Sequence, residues 1–73
     1  MTRQQSLQII RDAFSHVHVD RILVEYDPVV GEDVAKVFVS DDQLDAALGE
    51  DGSYPTAVAM KAGLALEIVL SSK

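Results

Sequence analysis

The spacing of hydrophobic residues switches between helical and strand periodicity along this chain, and the order of these switches restricts the fold more than any single motif. At the N-terminal end, apolar residues recur at helical spacing from Leu7 to Phe14. Thr2 and Gln5 precede them three residues apart, which is the spacing of a capping box. We therefore predict a helix over about residues 3–15.

Two segments of alternating polarity follow this helix. In the first, Ile22, Val24 and Tyr26 occupy alternate positions in a stretch rich in β-branched residues, and turn-forming residues through Gly31 end it. The second segment spans about residues 34–40. Because a connection of several residues separates them, we predict that the two strands form a loose hairpin.

Two short helices are predicted after the hairpin. Ser40 and Gln43 have the spacing of a second capping box, for a helix that ends at Gly49. Ser53 is placed to cap a third helix, which Gly63 ends. The first of these helices is barely two turns long.

The last segment, residues 64–70, alternates again and is predicted to be a strand. The order is therefore α-β-β-α-α-β, an α+β fold in which three helices cover a three-stranded mixed sheet. The two helices between the last two strands make the connection long enough for a parallel crossover. With 73 residues, the chain permits a single domain, residues 1–73.

The composition restricts the compartment and the kind of site. The chain contains no cysteine, so neither a disulfide framework nor a thiolate metal site is possible. No apolar run approaches the roughly 20 residues of a membrane span, and the polar N-terminal segment lacks the apolar core of a signal peptide. We therefore expect a soluble cytoplasmic protein, or a piece of one, with no membrane contact.

The charge distribution argues against general electrostatic affinity for nucleic acid. The net charge is −6, from 12 acidic residues against 6 Lys and Arg, whereas nucleic-acid binding normally shows as a basic face. Neither Lys nor Arg occurs between Lys36 and Lys61. That interval holds five acidic residues, which we call the acidic face: Asp41, Asp42, Asp45, Glu50 and Asp51.

No metal, cofactor or catalytic site is predicted. The acidic face does not follow calcium-loop spacing, because Ala47 and Gly49 stand where carboxylates or amides should be. His16 and His18 lack a third ligand for zinc and are interpreted as surface residues between a helix and a strand. Nothing resembles a nucleophile elbow or a P-loop, so we expect that the protein is not an enzyme.

The segment VFVSDDQLDAALGEDG resembles the KH segment of the bacterial transcription elongation and termination factor NusA. Residues 41–44 match its D-D-Q-L, residues 47–49 stand for its A-I-G, and Gly49 with Gly52 match its G-x-x-G. The segment SYPTAVAMKAGLALEI that follows fills the family's second helix, its glycine and its last strand without a gap. The order of elements is likewise similar to that of a type II KH domain.

The resemblance implies an RNA-binding domain of a cytoplasmic transcription factor. In KH domains the G-x-x-G backbone clamps about four nucleotides of RNA, because glycine lets the main chain approach the phosphates closely. Carried over to this sequence, single-stranded RNA would contact six residues: Leu48, Gly49, Glu50, Asp51, Gly52 and Ser53.

The tip of this loop departs from the family, since Glu50 and Asp51 stand where basic or polar residues are usual. Carboxylates repel phosphates, and only Tyr54 lies close enough in sequence to stack on a base. We therefore expect weak RNA binding. Two alternatives stay open. The segment GEDG is only a turn between helices, or the domain is a degenerate KH module whose acidic face binds RNA polymerase or another basic protein surface.

Overall fold

The computed structural model describes residues 1–71, and its elements follow the predicted order. They are α1 (Arg3–Ala13), β1 (Val19–Asp27), β2 (Glu32–Val39), a 3₁₀ turn (Asp41–Gln43), α2 (Leu44–Leu48), α3 (Tyr54–Ala62) and β3 (Ala65–Leu70). The predicted α+β fold class is therefore confirmed. Within the described residues, no helix is both long and apolar enough to cross a membrane.

β2 is the central strand of the sheet and lies between β1 and β3. It runs antiparallel to β1, with Val37 opposite Ile22, and parallel to β3, with Val37 opposite Ile68. The mixed sheet is confirmed, and so is the parallel crossover, which passes through α2 and α3. β1 and β3 are consequently the two edges of the sheet.

The hydrophobic core lies between the helices and one face of the sheet. On β2 this face is formed by Ala35, Val37 and Val39, and none of the three is exposed to solvent. Because successive side chains of a strand point to opposite faces, Lys36 and Phe38 lie on the other face and are half-buried. The remaining core residues come from the helices and their ends: Ile10, Phe14, Val17, Ala47, Val58, Ala62 and Leu64.

α1 begins with the predicted capping box. The backbone N–H of Gln5 donates to the Thr2 hydroxyl (3.1 Å), and the Thr2 N–H donates to the Gln5 side chain (2.8 Å). The helix ends at Ala13, two residues before the predicted end. On its buried side, the Ser6 hydroxyl donates to the carbonyl of Ala62 (2.8 Å), which ties α1 to the end of α3.

The hairpin of β1 and β2 is tighter than the loose connection that we predicted. The two strands end at Asp27 and begin again at Glu32, which leaves a turn of four residues. The Asp27 carboxylate accepts a hydrogen bond from the N–H of Val29 (2.9 Å), and its carbonyl accepts one from Gly31 (2.7 Å). The aspartate therefore folds the turn back on itself through local bonds.

Candidate nucleic-acid interface

Ser40 and Gln43 do not form the predicted capping box. The Ser40 hydroxyl donates to the Asp42 carboxylate (2.5 Å), and the Gln43 N–H donates to the Ser40 carbonyl (2.9 Å), so the first turn is 3₁₀. The Gln43 side chain accepts a hydrogen bond from the N–H of His18 (2.9 Å) instead. This contact with His18, which precedes β1, thus replaces the hydrogen bond that Gln43 would make within a capping box. The Ser40 hydroxyl is also the main cause that lowers the pKa of Asp42.

The two glycines of the GEDG loop (residues 49–52) both have positive φ angles, +81° at Gly49 and +79° at Gly52. A Cβ atom on Gly49 would lie 3.0 Å from the Cβ of Tyr54, whereas nothing lies within 4 Å of a Cβ built on Gly52. Gly49 is therefore needed for its conformation and for close packing, and Gly52 for its conformation alone. The predicted role of Gly49 as the end of α2 is confirmed by its N–H, which bonds the Asp45 carbonyl (3.0 Å).

Asp51 closes the loop by binding the residue before α3. Its carboxylate accepts hydrogen bonds from the hydroxyl (2.6 Å) and the backbone N–H (3.1 Å) of Ser53. Both hydrogen bonds lower the pKa of Asp51, and the bond from the Ser53 hydroxyl has the larger effect. Ser53 occupies the predicted cap position, but the prediction that its side chain caps the helix is wrong, because its hydroxyl is bound to Asp51.

Tyr54 anchors the end of the loop to α1. Its hydroxyl donates a hydrogen bond to the carbonyl of Ala13. Its ring makes edge-to-face contacts with Phe14 (5.4 Å between centroids) and His16 (5.6 Å), an arrangement that aromatic pairs favour. The aromatic ring nearest to the loop is therefore half-buried and held in place by contacts within the protein.

The six residues predicted to contact RNA run continuously from Leu48, the last residue of α2, to Ser53, the residue before α3. Leu48 and Gly49 are half-buried at the start of this segment, and the other four, Glu50 to Ser53, are exposed. The backbone of the tip is thus open to solvent, but the charged groups displayed there are the carboxylates of Glu50 and Asp51. The nearest cationic side chain in sequence, Lys61, lies near the end of α3.

The residues of the acidic face are distributed along the 3₁₀ turn, α2 and the GEDG loop. All five of its carboxylates are exposed, and in the described part of the chain none of them takes part in an ion pair. Among residues 1–71, no three His, Asp or Glu side chains converge in a way that could hold a metal ion. The acidic face is therefore a solvated, unpaired surface.

The two histidines of the H-V-H segment do not converge. The Nε2 atom of His16 lies 3.2 Å from the carbonyl of Ala46. The exposed ring of His18 lies 3.6 Å from the Asp20 carboxylate. His16 therefore serves to join the end of α1 to α2, in agreement with the interpretation of these residues as surface groups at a junction.

Sequence reasoning missed two contacts that fix the segments on either side of α2 and the GEDG loop to the rest of the fold. Gln43 reaches back 25 residues to His18, and Tyr54 reaches back 41 residues to Ala13. No local spacing indicates either contact. The only signal was the aromatic character of Tyr54 beside a loop, which fits a packing role as well as a stacking role.

Comparison of the chain with protein-family models, curated proteins and solved structures gives no match. Any functional assignment therefore depends on the geometry of the GEDG loop and on the resemblance in sequence.

Proposed function

We propose that this chain is a KH-like domain, similar to that of NusA, which acts in the cytoplasm in transcription elongation or termination and contacts single-stranded RNA weakly. The observation that supports this best is the pair of positive-φ glycines in a G-x-x-G turn, between two short helices that cross from β2 to a parallel β3. A turn of this kind exposes its backbone at the tip, where a phosphate could approach.

The weakness of the contact follows from the charges at the tip. Two like charges about 7 Å apart repel each other even when water surrounds both of them. Glu50 and Asp51 each impose such a repulsion on a bound phosphate, and salt reduces it. Asp51 also occupies the N–H of Ser53, which removes one donor from the loop.

Stacking does not offset this repulsion. A base that stacks on an aromatic ring gains about 1–3 kcal/mol. Tyr54 is engaged by Phe14 and His16 and by its hydrogen bond to Ala13. RNA would therefore be held by main-chain contacts alone at this loop.

The test is an amide NMR titration with a mixed pool of short single-stranded RNA at low salt. We expect small shifts confined to residues 49–52 in the unaltered protein and larger shifts in a Glu50→Lys, Asp51→Lys variant. An Asp12→Lys, Glu32→Lys variant is the matched control, because it makes the same change in net charge at exposed positions on other elements. RNA contact would be refuted if the amides of residues 49–52 did not shift in any of the three proteins. Micromolar or tighter binding by the unaltered protein at physiological salt would refute its weakness.

The acidic face supports a second candidate function, binding of a basic protein surface such as a region of RNA polymerase. Its carboxylates are exposed and unpaired among residues 1–71, and those of Asp42 and Asp51 have lowered pKa values, so both stay charged at neutral pH. Complementary charge of this kind speeds and orients an encounter. A lysine-rich peptide should shift the amides of residues 41–51, and an Asp41→Asn, Asp42→Asn variant should reduce these shifts. Equal shifts in both proteins would exclude this role.

A further inference from the structure

The free edge of β1 is a second surface, independent of the loop. Val39 accepts a hydrogen bond through its carbonyl from the N–H of Ser71, which follows β3. The backbone of Val39 therefore faces β3, and by alternation the backbone of Phe38 faces β1. Phe38 is opposite Arg21. The backbone N–H and C=O groups of Arg21, Leu23 and Glu25 therefore face β2 and bond to it.

The backbone groups of Ile22, Val24 and Tyr26 point the other way, out of the sheet. In residues 1–71 no other segment makes a backbone hydrogen bond to these three residues on that side. An open row of N–H and C=O groups of this kind is a template for another strand. The regular part of this edge is limited at one end by Asp20, which has no partner in β2, and at the other end by Pro28, which follows β1.

The side chains along this edge are symmetrical about Leu23. Arg21 lies two positions before it and Glu25 two positions after it, so all three project from the same face of the sheet. If two copies of β1 run antiparallel about a twofold axis at Leu23, each Arg21 lies opposite Glu25 of the second copy. Leu23, which is 40% exposed, then lies opposite its own equivalent.

The other symmetrical registers are less favourable. An axis at Val24 places Leu23 opposite Glu25, and it pairs Arg21 with Asp27, whose carboxylate is already bound to the turn. An axis at Glu25 places two like charges directly opposite each other, which destabilises a strand pair. An axis at Ile22 leaves Arg21 opposite Leu23. On the face that carries Arg21, Leu23 and Glu25, only the axis at Leu23 pairs charge with opposite charge and apolar with apolar.

The same register also covers the helix-side face of β1. Ile22 lies opposite Val24 of the second copy, and Tyr26, which is 62% exposed, lies at the end of the regular edge, where the register shift beside Asp20 interrupts the alternation of side chains. Next to this end of the edge is an open cleft of about 360 Å³, whose lining includes Phe14 and Val17 together with the cationic Arg11 and Arg21. An aromatic ring is a suitable occupant of such a cleft, and Tyr26 of the second copy would point towards it.

We propose that two copies of this chain associate through antiparallel pairing of β1 about Leu23, which joins their sheets into one sheet of six strands. The existing contacts are compatible with this arrangement. The Glu25 carboxylate is 3.0 Å from Lys36, and Arg21 of the second copy would approach it from the opposite side. The Arg21 guanidinium lies 4.4 Å from the centre of the Phe38 ring, on the face where Leu23 lies, and it would turn from β2 towards the free edge to meet Glu25 of the second copy.

Charge-reversal variants of the full chain test the pairing and its register. We expect the unaltered protein to dimerise with rising concentration in sedimentation-velocity experiments. Arg21→Glu and Glu25→Arg should each raise the dissociation constant roughly tenfold or more, because two cross-strand pairs become like-charged in each dimer. A one-to-one mixture of the two variants restores both pairs and should form a heterodimer. Circular dichroism of each variant checks that it folds.

A single cysteine tests the axis directly, since the chain contains none. In the proposed register the two copies of residue 23 form a non-hydrogen-bonded pair with Cα atoms about 4.5 Å apart, within disulfide range. Leu23→Cys should therefore form a disulfide-linked dimer rapidly on mild oxidation, and Val29→Cys, at a residue 93% exposed in the turn, should not. The proposal would be overturned if the unaltered protein stayed monomeric at every concentration, or if the mixture of Arg21→Glu and Glu25→Arg stayed monomeric. Equal cross-linking of Leu23→Cys and Val29→Cys would also overturn it.

Discussion

The carboxylate of Asp51 binds both the hydroxyl and the backbone N–H of Ser53, at 2.6 and 3.1 Å. Backbone N–H groups next to a helix start commonly bind anions from outside the protein. In this loop an internal carboxylate holds that position. An RNA phosphate at the tip would therefore have to compete with Asp51 as well as overcome its charge.

Replacing Ser53 with alanine should raise the pKa of Asp51 towards the ordinary value for aspartate, because the Ser53 hydroxyl is the largest cause of its depression. The pKa is lower in the folded state, so these hydrogen bonds stabilise the fold above the pKa of the unfolded chain. That stabilisation is lost as the pH falls through the folded-state pKa. A carboxyl NMR titration of both proteins measures the change. Ser15→Ala, at an exposed residue outside the loop, should leave the Asp51 titration unchanged, and an unchanged Asp51 pKa in Ser53→Ala would contradict the prediction.

Replacing Tyr54 with phenylalanine should destabilise the domain by about 1 kcal/mol, because the variant loses the hydrogen bond to the Ala13 carbonyl and keeps the ring contacts. Urea denaturation measures the free energy of unfolding. Tyr26→Phe is the matched control, at a tyrosine that is 62% exposed, and should change stability little. Equal effects at both positions would show that the Tyr54 hydroxyl does not anchor the loop.

Replacing Val37 with alanine should destabilise the domain by roughly 2–3 kcal/mol, since the change removes buried methyl groups from the central strand and leaves a cavity. Val29→Ala removes the same atoms from a residue that is 93% exposed, and its effect should stay within about 0.5 kcal/mol. Thermal and urea denaturation give both values. Comparable losses in the two variants would contradict the placement of the core on this face of β2.

The sequence predicts those features of the fold that depend on local spacing, and misses those that depend on distant partners. Thr2 and Gln5 form their capping box because both partners lie within one helical turn. Ser40 and Gln43 have the same spacing, yet Gln43 is bound by His18. On β2, Ala35, Val37 and Val39 alternate with Lys36 and Phe38, and the set without a charged residue is the buried one.

At the candidate site, the two glycines and the position of Ser53 were predictable because turns and helix ends have local signatures. The hydrogen-bond partner of each polar side chain was not predictable. Ser53 can accept a hydrogen bond from the helix or donate one to Asp51, and the sequence contains no information on which geometry prevails. The role of Tyr54 depends on where α1 ends, at Ala13, a position that the periodicity placed two residues too late.

The two glycines of the GEDG loop should respond differently to alanine. Gly52→Ala meets no neighbour within 4 Å, so only its backbone conformation is penalised, by about 1–2 kcal/mol. Gly49 has φ +81° and ψ −178°, a region that essentially only glycine occupies. Its new Cβ would also lie 3.0 Å from the Cβ of Tyr54, which is fixed by its own contacts and has little freedom to move. Gly49→Ala should therefore cost at least about 1 kcal/mol more than Gly52→Ala in urea denaturation, and it should also shift the amide of Tyr54. If the two variants are equally stable, the close packing of Gly49 against Tyr54 does not determine the shape of the loop.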